Sequence, residues 1–100
     1  MPKFNLDDAV AKISAPWTPV DVAAVNGNAL RIALFEGEYH EHTHEYDELF
    51  LVYRGAITIW TESGTINLAE GEGYTVPAGT NHKPIANEPA YVLFIDALEE

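Results

Sequence analysis

Four side chains in this sequence have the types and spacing of a metal cage divided between two segments. His42 and His44 sit two apart, Glu48 follows four later, and His82 returns after a long gap. Alternate residues of a strand point to one face, so strand parity predicts that His42 and His44 grip one ion together. Three of the four histidines fall at these points. Imidazole and carboxylate donors suit one divalent transition metal ion of the Fe, Mn, Ni, Co or Zn group. Three imidazoles and one carboxylate leave coordination positions open on a six-coordinate ion, where a substrate, water or dioxygen could bind. His40 shares face parity with His42 and His44, and an imidazole titrates in the neutral range, so it is a catalytic candidate for proton transfer.

The elements that must position these residues are short. Leu6, Val10 and Ile13 recur at helical spacing behind Asn5, a capping residue, with Asp7 and Asp8 in the first turn. Pro16 and Pro19 end this helix around Trp17, read as an aromatic plug at one end of the core. From Val20 onward the pattern is β. Strands are expected at Val20 to Val25, Ala29 to Phe35, Glu48 to Tyr53, Ala56 to Thr61, Thr65 to Leu68, Tyr74 to Val76, Pro84 to Ala86 and Tyr91 to Asp96. Asn26-Gly27-Asn28 is a hairpin signal, and Pro77-Ala78-Gly79 is a tight turn that returns His82 toward the first cluster. Seven or eight short strands with frequent turns predict an all-β fold, a closed antiparallel sandwich or barrel. A single domain over residues 1–100 is expected, with an arm to about residue 19, a barrel over about 20–97 and a frayed tail at Leu98-Glu99-Glu100.

Composition narrows the function. A formal charge of −11 with five basic residues argues against nucleic acid and anionic membranes as partners. The absence of cysteine excludes disulfides and thiolate metal sites. The opening Met1 to Asp8 lacks the apolar run of a signal peptide, so a cytoplasmic location is the default expectation.

Other residues have expected places. Phe50, Val52, Ile57, Ile59, Ile66 and Leu68 should fill or line the barrel, with Glu48 on the same inner face. Asp47, Glu41 and Glu45 should face solvent. Trp60, opposite in parity to Ile57 and Ile59, should lie on the outer face, where an aromatic side chain can serve a subunit contact.

The spacing Gly37-x4-His42-x-His44-x3-Glu48-x6-Gly55, followed by Gly71-x5-Pro77-x-Gly79-x2-His82-x4-Asn87, resembles the two motifs of the cupin superfamily. The usual motifs run G-x5-H-x-H-x3,4-E-x6-G and G-x5-P-x-G-x2-H-x3-N; here the opening gap is one shorter and Asn87 stands one residue late. The resemblance covers about Ala29 to Asp96 and is closest to one-domain proteins described as "cupin 2" or mannose-6-phosphate-isomerase-like. It implies a jelly-roll barrel with a short N-terminal helix, a metal held by His42, His44, Glu48 and His82, and a homodimer. The isomerase label transfers no activity, because sugar-phosphate contacts need cations and the chain offers only Lys3, Lys12, Arg31, Arg54 and Lys83. Of these Lys83, beside His82, is the one candidate for a catalytic role. The leading expectation is a metal-dependent enzyme acting on a small organic molecule, by dioxygenase or by isomerase or lyase chemistry. The alternatives are a non-catalytic module that binds or senses a small molecule or metal, and a metal that merely staples the barrel.

Overall fold

The computed structural model describes residues 3–98. The tail reading at Glu99 and Glu100, and Met1 and Pro2 at the start, lie outside them. The order is one helix, α1 (Leu6–Ala11), then β1 (Val20–Val25), β2 (Asn28–Glu38), β3 (Glu48–Arg54), β4 (Ile57–Thr61), β5 (Gly64–Leu68), β6 (Gly73–Val76) and β7 (His82–Ala97). Every pairing is antiparallel, in the order β1-β2-β7-β3-β6, with β4 joining β7 to β5. This is the expected jelly roll.

Local chemistry accounts for the turns. Asn26 and Gly27 take positive φ of 49° and 82°, as a two-residue hairpin turn requires, and asparagine and glycine tolerate that conformation. Asn5 caps α1 by accepting a hydrogen bond from the Asp8 N–H at 3.0 Å. The helix closes at Ala11 with Lys12 as its C-cap, so Ile13 packs from the following turn rather than from the helix.

One correction concerns β7. Pro84 to Ala86 and Tyr91 to Asp96 are not two strands but parts of one 16-residue strand. Its first half pairs with β4 and with the end of β2, and its second with the rest of β2 and with β3. Exposed Asn87, Glu88 and Pro89 interrupt the apolar pattern in mid-strand, which explains why it reads as two.

Both faces of the main sheet are covered. Ala33 and Phe35 of β2 point into the barrel with Phe50, Val52, Val92 and Phe94. Ile57, Ile59 and Leu68 pack there as expected, with Ile66 partly buried against them. On the opposite face Ile32 and Leu93 are buried beneath Ala9 of α1, flanked by Leu6, Val10, Leu30 and Leu51. Trp60 lies on the outer face, half-buried, with the Lys83 Nζ 5.7 Å from its ring centre.

Candidate metal centre

The first two histidines do not lie in a regular strand. β2 ends at Glu38, and residues 39–47 run as a loop in which His42 alone forms a bridge, to His82. Strand parity is therefore the wrong premise for His40, His42 and His44. Two backbone tethers produce the same result. His42 is bridged to His82, and the His44 carbonyl accepts from the Gly79 N–H at 2.8 Å. Both side chains line the cavity between these tethers. Glu48 opens β3 and is 5% exposed; His82 opens β7 and is 1% exposed.

The four side chains converge. One donor atom from each of His42, His44, Glu48 and His82 lies within 4.8 Å of the others. The Glu48 Oε1 is 3.3 Å from the Nε2 of His44 and 3.3 Å from the Nε2 of His82. Donors about 2.0–2.2 Å from an ion stand roughly 3.0–3.4 Å apart when adjacent, so this spacing fits a first-row metal.

Proton placement supports the same fit. The Nδ1 of His42 lies 2.9 Å from the His40 carbonyl, and the Nδ1 of His82 lies 2.9 Å from the Thr80 carbonyl. A carbonyl oxygen can only accept, so each Nδ1 carries the proton and each neutral Nε2 is left with a free lone pair. Burial lowers the His42 pKa, aided by the neighbouring histidines, which favours the neutral ring that a metal needs. Burial also works against protonation of His82, yet the bonds to Glu48 and to the Thr80 carbonyl outweigh it and raise its pKa. A proton and a metal therefore compete for this ring.

The turn that delivers His82 is itself fastened. Gly79 has φ +81°, and the Thr80 N–H closes the turn onto the Pro77 carbonyl at 3.1 Å. The Asp47 carboxylate accepts the Ala78 N–H at 2.9 Å. Asp47 is exposed as expected, and its side chain ties the Pro77 to Gly79 turn to the loop preceding Glu48.

A cavity of about 350 Å³ opens beside the cluster. Trp17, Phe35, Tyr39, Phe50 and Phe94 give it an aromatic wall. Trp17 is more than a plug. Its ring lies 4.6 Å from Phe35 and 4.9 Å from Tyr39, and its Nε1–H donates to the Glu36 carbonyl at 3.0 Å. His40 lines the same cavity as an exposed residue at the mouth, its ring 4.1 Å from Tyr39.

Lys83 is not brought to the cavity. Side chains alternate along β7, so burying His82 turns Lys83 to the outer face, where its Nζ sits 3.4 Å from Glu38. The expectation that it acts beside the metal fails on that alternation.

Two polar residues that the sequence did not single out as site residues line the cavity, Arg31 and Asp96. The Arg31 Nε donates to Asp21 at 2.9 Å and its Nη1 lies 3.4 Å from Asp96. Asp96 is 7% exposed. Burial raises its pKa, and the Glu48 charge and a shared hydrogen bond add to the rise, to about 6, against the opposing pull of Arg31. The available signal was phase: Asp96 is in step with buried Val92 and Phe94.

Comparison with known proteins agrees with this picture. The profile of the cupin domain family, Cupin_2, matches residues 32–96. The chain is 36% identical over 64 residues to the uncharacterized protein YdbB of Bacillus subtilis (strain 168), a match spanning 62% of this chain and 57% of that protein. It thus spans little more than half the length of that curated relative. A cupin-2 domain containing protein from Shewanella frigidimarina NCIMB 400 superposes with a TM-score of 0.90 at 32% identity, over 94% of this chain and 93% of that one. A hydroquinone 1,2-dioxygenase from Sphingomonas sp. TTNP3, with 4-hydroxybenzoate bound, superposes with a TM-score of 0.75 at 22% identity, over 88% of this chain and 71% of that one. With a profile match over most of its length and the same fold, the chain belongs to the cupin domain family.

Proposed function

We propose that this cupin is a metal-dependent enzyme acting on a small organic molecule in the cavity beside His42, His44, Glu48 and His82. The observation that carries the reading is the convergence of these donors, with two imidazoles oriented by carbonyls, onto a cavity large enough for a single-ring ligand. Buried Glu48 adds weight, because a carboxylate withdrawn from water needs a cation or a proton beside it.

A divalent ion held there supplies Lewis-acid polarisation of a ligand oxygen. The protein's own residues do the rest. Phe35, Phe50 and Phe94 exclude water and hold the body of the ligand, and Trp17 and Tyr39 close the wall. His40, exposed and lining the same cavity, would move a proton between ligand and solvent. The likeness to the hydroquinone 1,2-dioxygenase is one of fold, yet it makes oxygen-dependent cleavage of a phenolic ring the first chemistry to try. We further propose that the chain works as a homodimer through its outer face near Trp60.

Metal analysis of protein purified without added metal or chelator tests the reading, with about one equivalent per chain expected. An oxygen-electrode assay of Fe(II)-loaded protein with hydroquinone then separates dioxygenase from isomerase or lyase chemistry. A chain that stays empty and refuses Fe, Mn, Ni, Co and Zn alike is not a metalloenzyme.

A further inference from the structure

The inner wall carries one cation in a place where packing alone has little use for it. Of the five basic residues in the chain, Arg31 is the one that lines the metal cavity. It stands on the inner face of β2, in cross-strand register with Asp21 of β1 and Phe94 of β7. Ala29 precedes it by two residues and Ala33 follows by two, so small side chains flank it on the inner face of β2, and its own side chain is 28% exposed.

The two carboxylates that meet Arg31 do so unequally. Asp21, which is exposed, holds the Nε at 2.9 Å, whereas buried Asp96 stands 3.4 Å from the Nη1. The first contact fixes the side chain; the second is near the long end of hydrogen bonding and leaves the Arg31 fork capacity for another partner, and Asp96, which also shares a hydrogen bond with Glu48, keeps acceptor lone pairs beyond these two contacts. The pair therefore shows the cavity a fixed donor next to an acceptor. A second bare carboxylate would be opposed there by Asp96 and Glu48, while a hydroxyl group satisfies both members, accepting from Arg31 and donating to Asp96.

We propose that Arg31 and Asp96 are a specificity pair that selects ligands carrying a hydroxyl beside the oxygen group that meets the metal cluster, on a body of one ring. Small ring-bearing α-hydroxy acids and vicinal diphenols have this chemistry. The assignment rests on the metal-centre reading above and adds the neighbouring group that the pocket distinguishes.

Zinc-loaded and chelator-treated protein are titrated with mandelate and with phenylacetate, which keeps the ring and carboxylate but lacks the hydroxyl. Quenching of Trp17 in the cavity wall reports binding, and zinc content is measured in parallel. The zinc-loaded parent should prefer mandelate by about tenfold, the scale of one well-made hydrogen bond. Arg31→Met should bring the two ligands within about twofold while its zinc content stays unchanged. Should Arg31→Met fail to fold by circular dichroism, Arg31→Lys keeps the charge beside Asp21 without the fork and should lose at least about threefold of the preference. Equal binding of the two ligands by the parent, or an undiminished preference in the folded variant, overturns the pair while zinc uptake leaves the metal centre standing. Failure of the parent to take up zinc or any other divalent ion removes the metal centre and this assignment together.

Discussion

His42 and His82 hydrogen-bond to each other in both directions through their backbones, each N–H to the other's carbonyl at 2.9 Å. Forty positions of sequence lie between one and the other, and the reciprocal bonds tie their backbones together. Their rings stand 4.4 Å apart between centres. Backbone pairing thus joins the loop after β2 to the start of β7 at the centre of the site.

His82→Ala tests how much the site depends on this side chain. Removing a ring that is 1% exposed empties space and strips Glu48 of a bonding partner. Stability should fall by about 2–4 kcal/mol in urea titrations. Metal affinity should drop by at least about a hundredfold, measured by competition with a chelating dye. A variant that binds metal as the parent does would remove His82 from the ligand set.

Glu48→Gln keeps the shape of the side chain and removes its charge. Metal affinity should fall by roughly ten- to a hundredfold. The same change should lower the Asp96 pKa from about 6, since the Glu48 charge and hydrogen bond help to raise it. Burial, the larger cause, remains, so the value should stay above the ordinary aspartate range. Carboxyl carbon NMR titration of metal-free protein reads this directly; an unmoved Asp96 would mean that the two carboxyl groups are not coupled.

Metal-free protein should lose stability as pH rises above neutrality. Asp96 binds its proton more tightly folded than unfolded, so its contribution is complete below its ordinary 3.8 and lost as pH rises through about 6. His82 is raised above 6.5, so its contribution is lost as pH rises through that higher value. His42, lowered below 6.5, acts in the opposite sense and only on the acid side. Melting at pH 8 should therefore lie a few degrees below melting at pH 6.5. Metal affinity should run the other way and rise with pH, because the ion displaces the proton of His82. A melting point that climbs over this interval would contradict the pairing of His82 with Glu48.

Gly55→Ala and Gly37→Ala separate crowding from backbone strain. Both glycines have positive φ, 95° and 83°. A Cβ at Gly55 would lie 3.0 Å from the Ala90 Cβ and 3.2 Å from the Pro89 carbonyl, whereas at Gly37 nothing stands within 4 Å. Gly37→Ala should cost about 1–2 kcal/mol from conformation alone. Gly55→Ala should cost about 1 kcal/mol or more beyond that, because the Ala90 backbone cannot step aside. Equal losses in urea unfolding would mean that the turn at Gly55 relaxes freely.

Much of this was legible because ligands and turns are local. The spacing of His42, His44 and Glu48, and the Pro77 to Gly79 turn before His82, are written in short stretches of sequence. What escaped was decided by partners far along the chain. Arg31 alternates with Leu30 and Ile32, a pattern that reads as charge outward and leucine inward, yet α1 covers the leucine face and the charge points into the barrel. Asp96 is joined to Arg31 across 65 positions, which no local pattern reveals. Lys83 misled through adjacency, since the neighbour of a ligand on a strand faces the other way.

The covering of both sheet faces also bears on how this protein could change. Ile32 and Leu93 beneath α1 are cross-strand partners, and beside them on the same two strands Arg31 and Phe94 are partners on the lumen face. Adhesion of helix to sheet and choice of ligand are thus assigned to adjacent residues with opposite orientation. Exchange at Ala33 or Phe94 can redraw the cavity while Ile32 and Leu93 continue to hold the sheet, which gives a hundred-residue chain room to acquire new chemistry without first surrendering its fold.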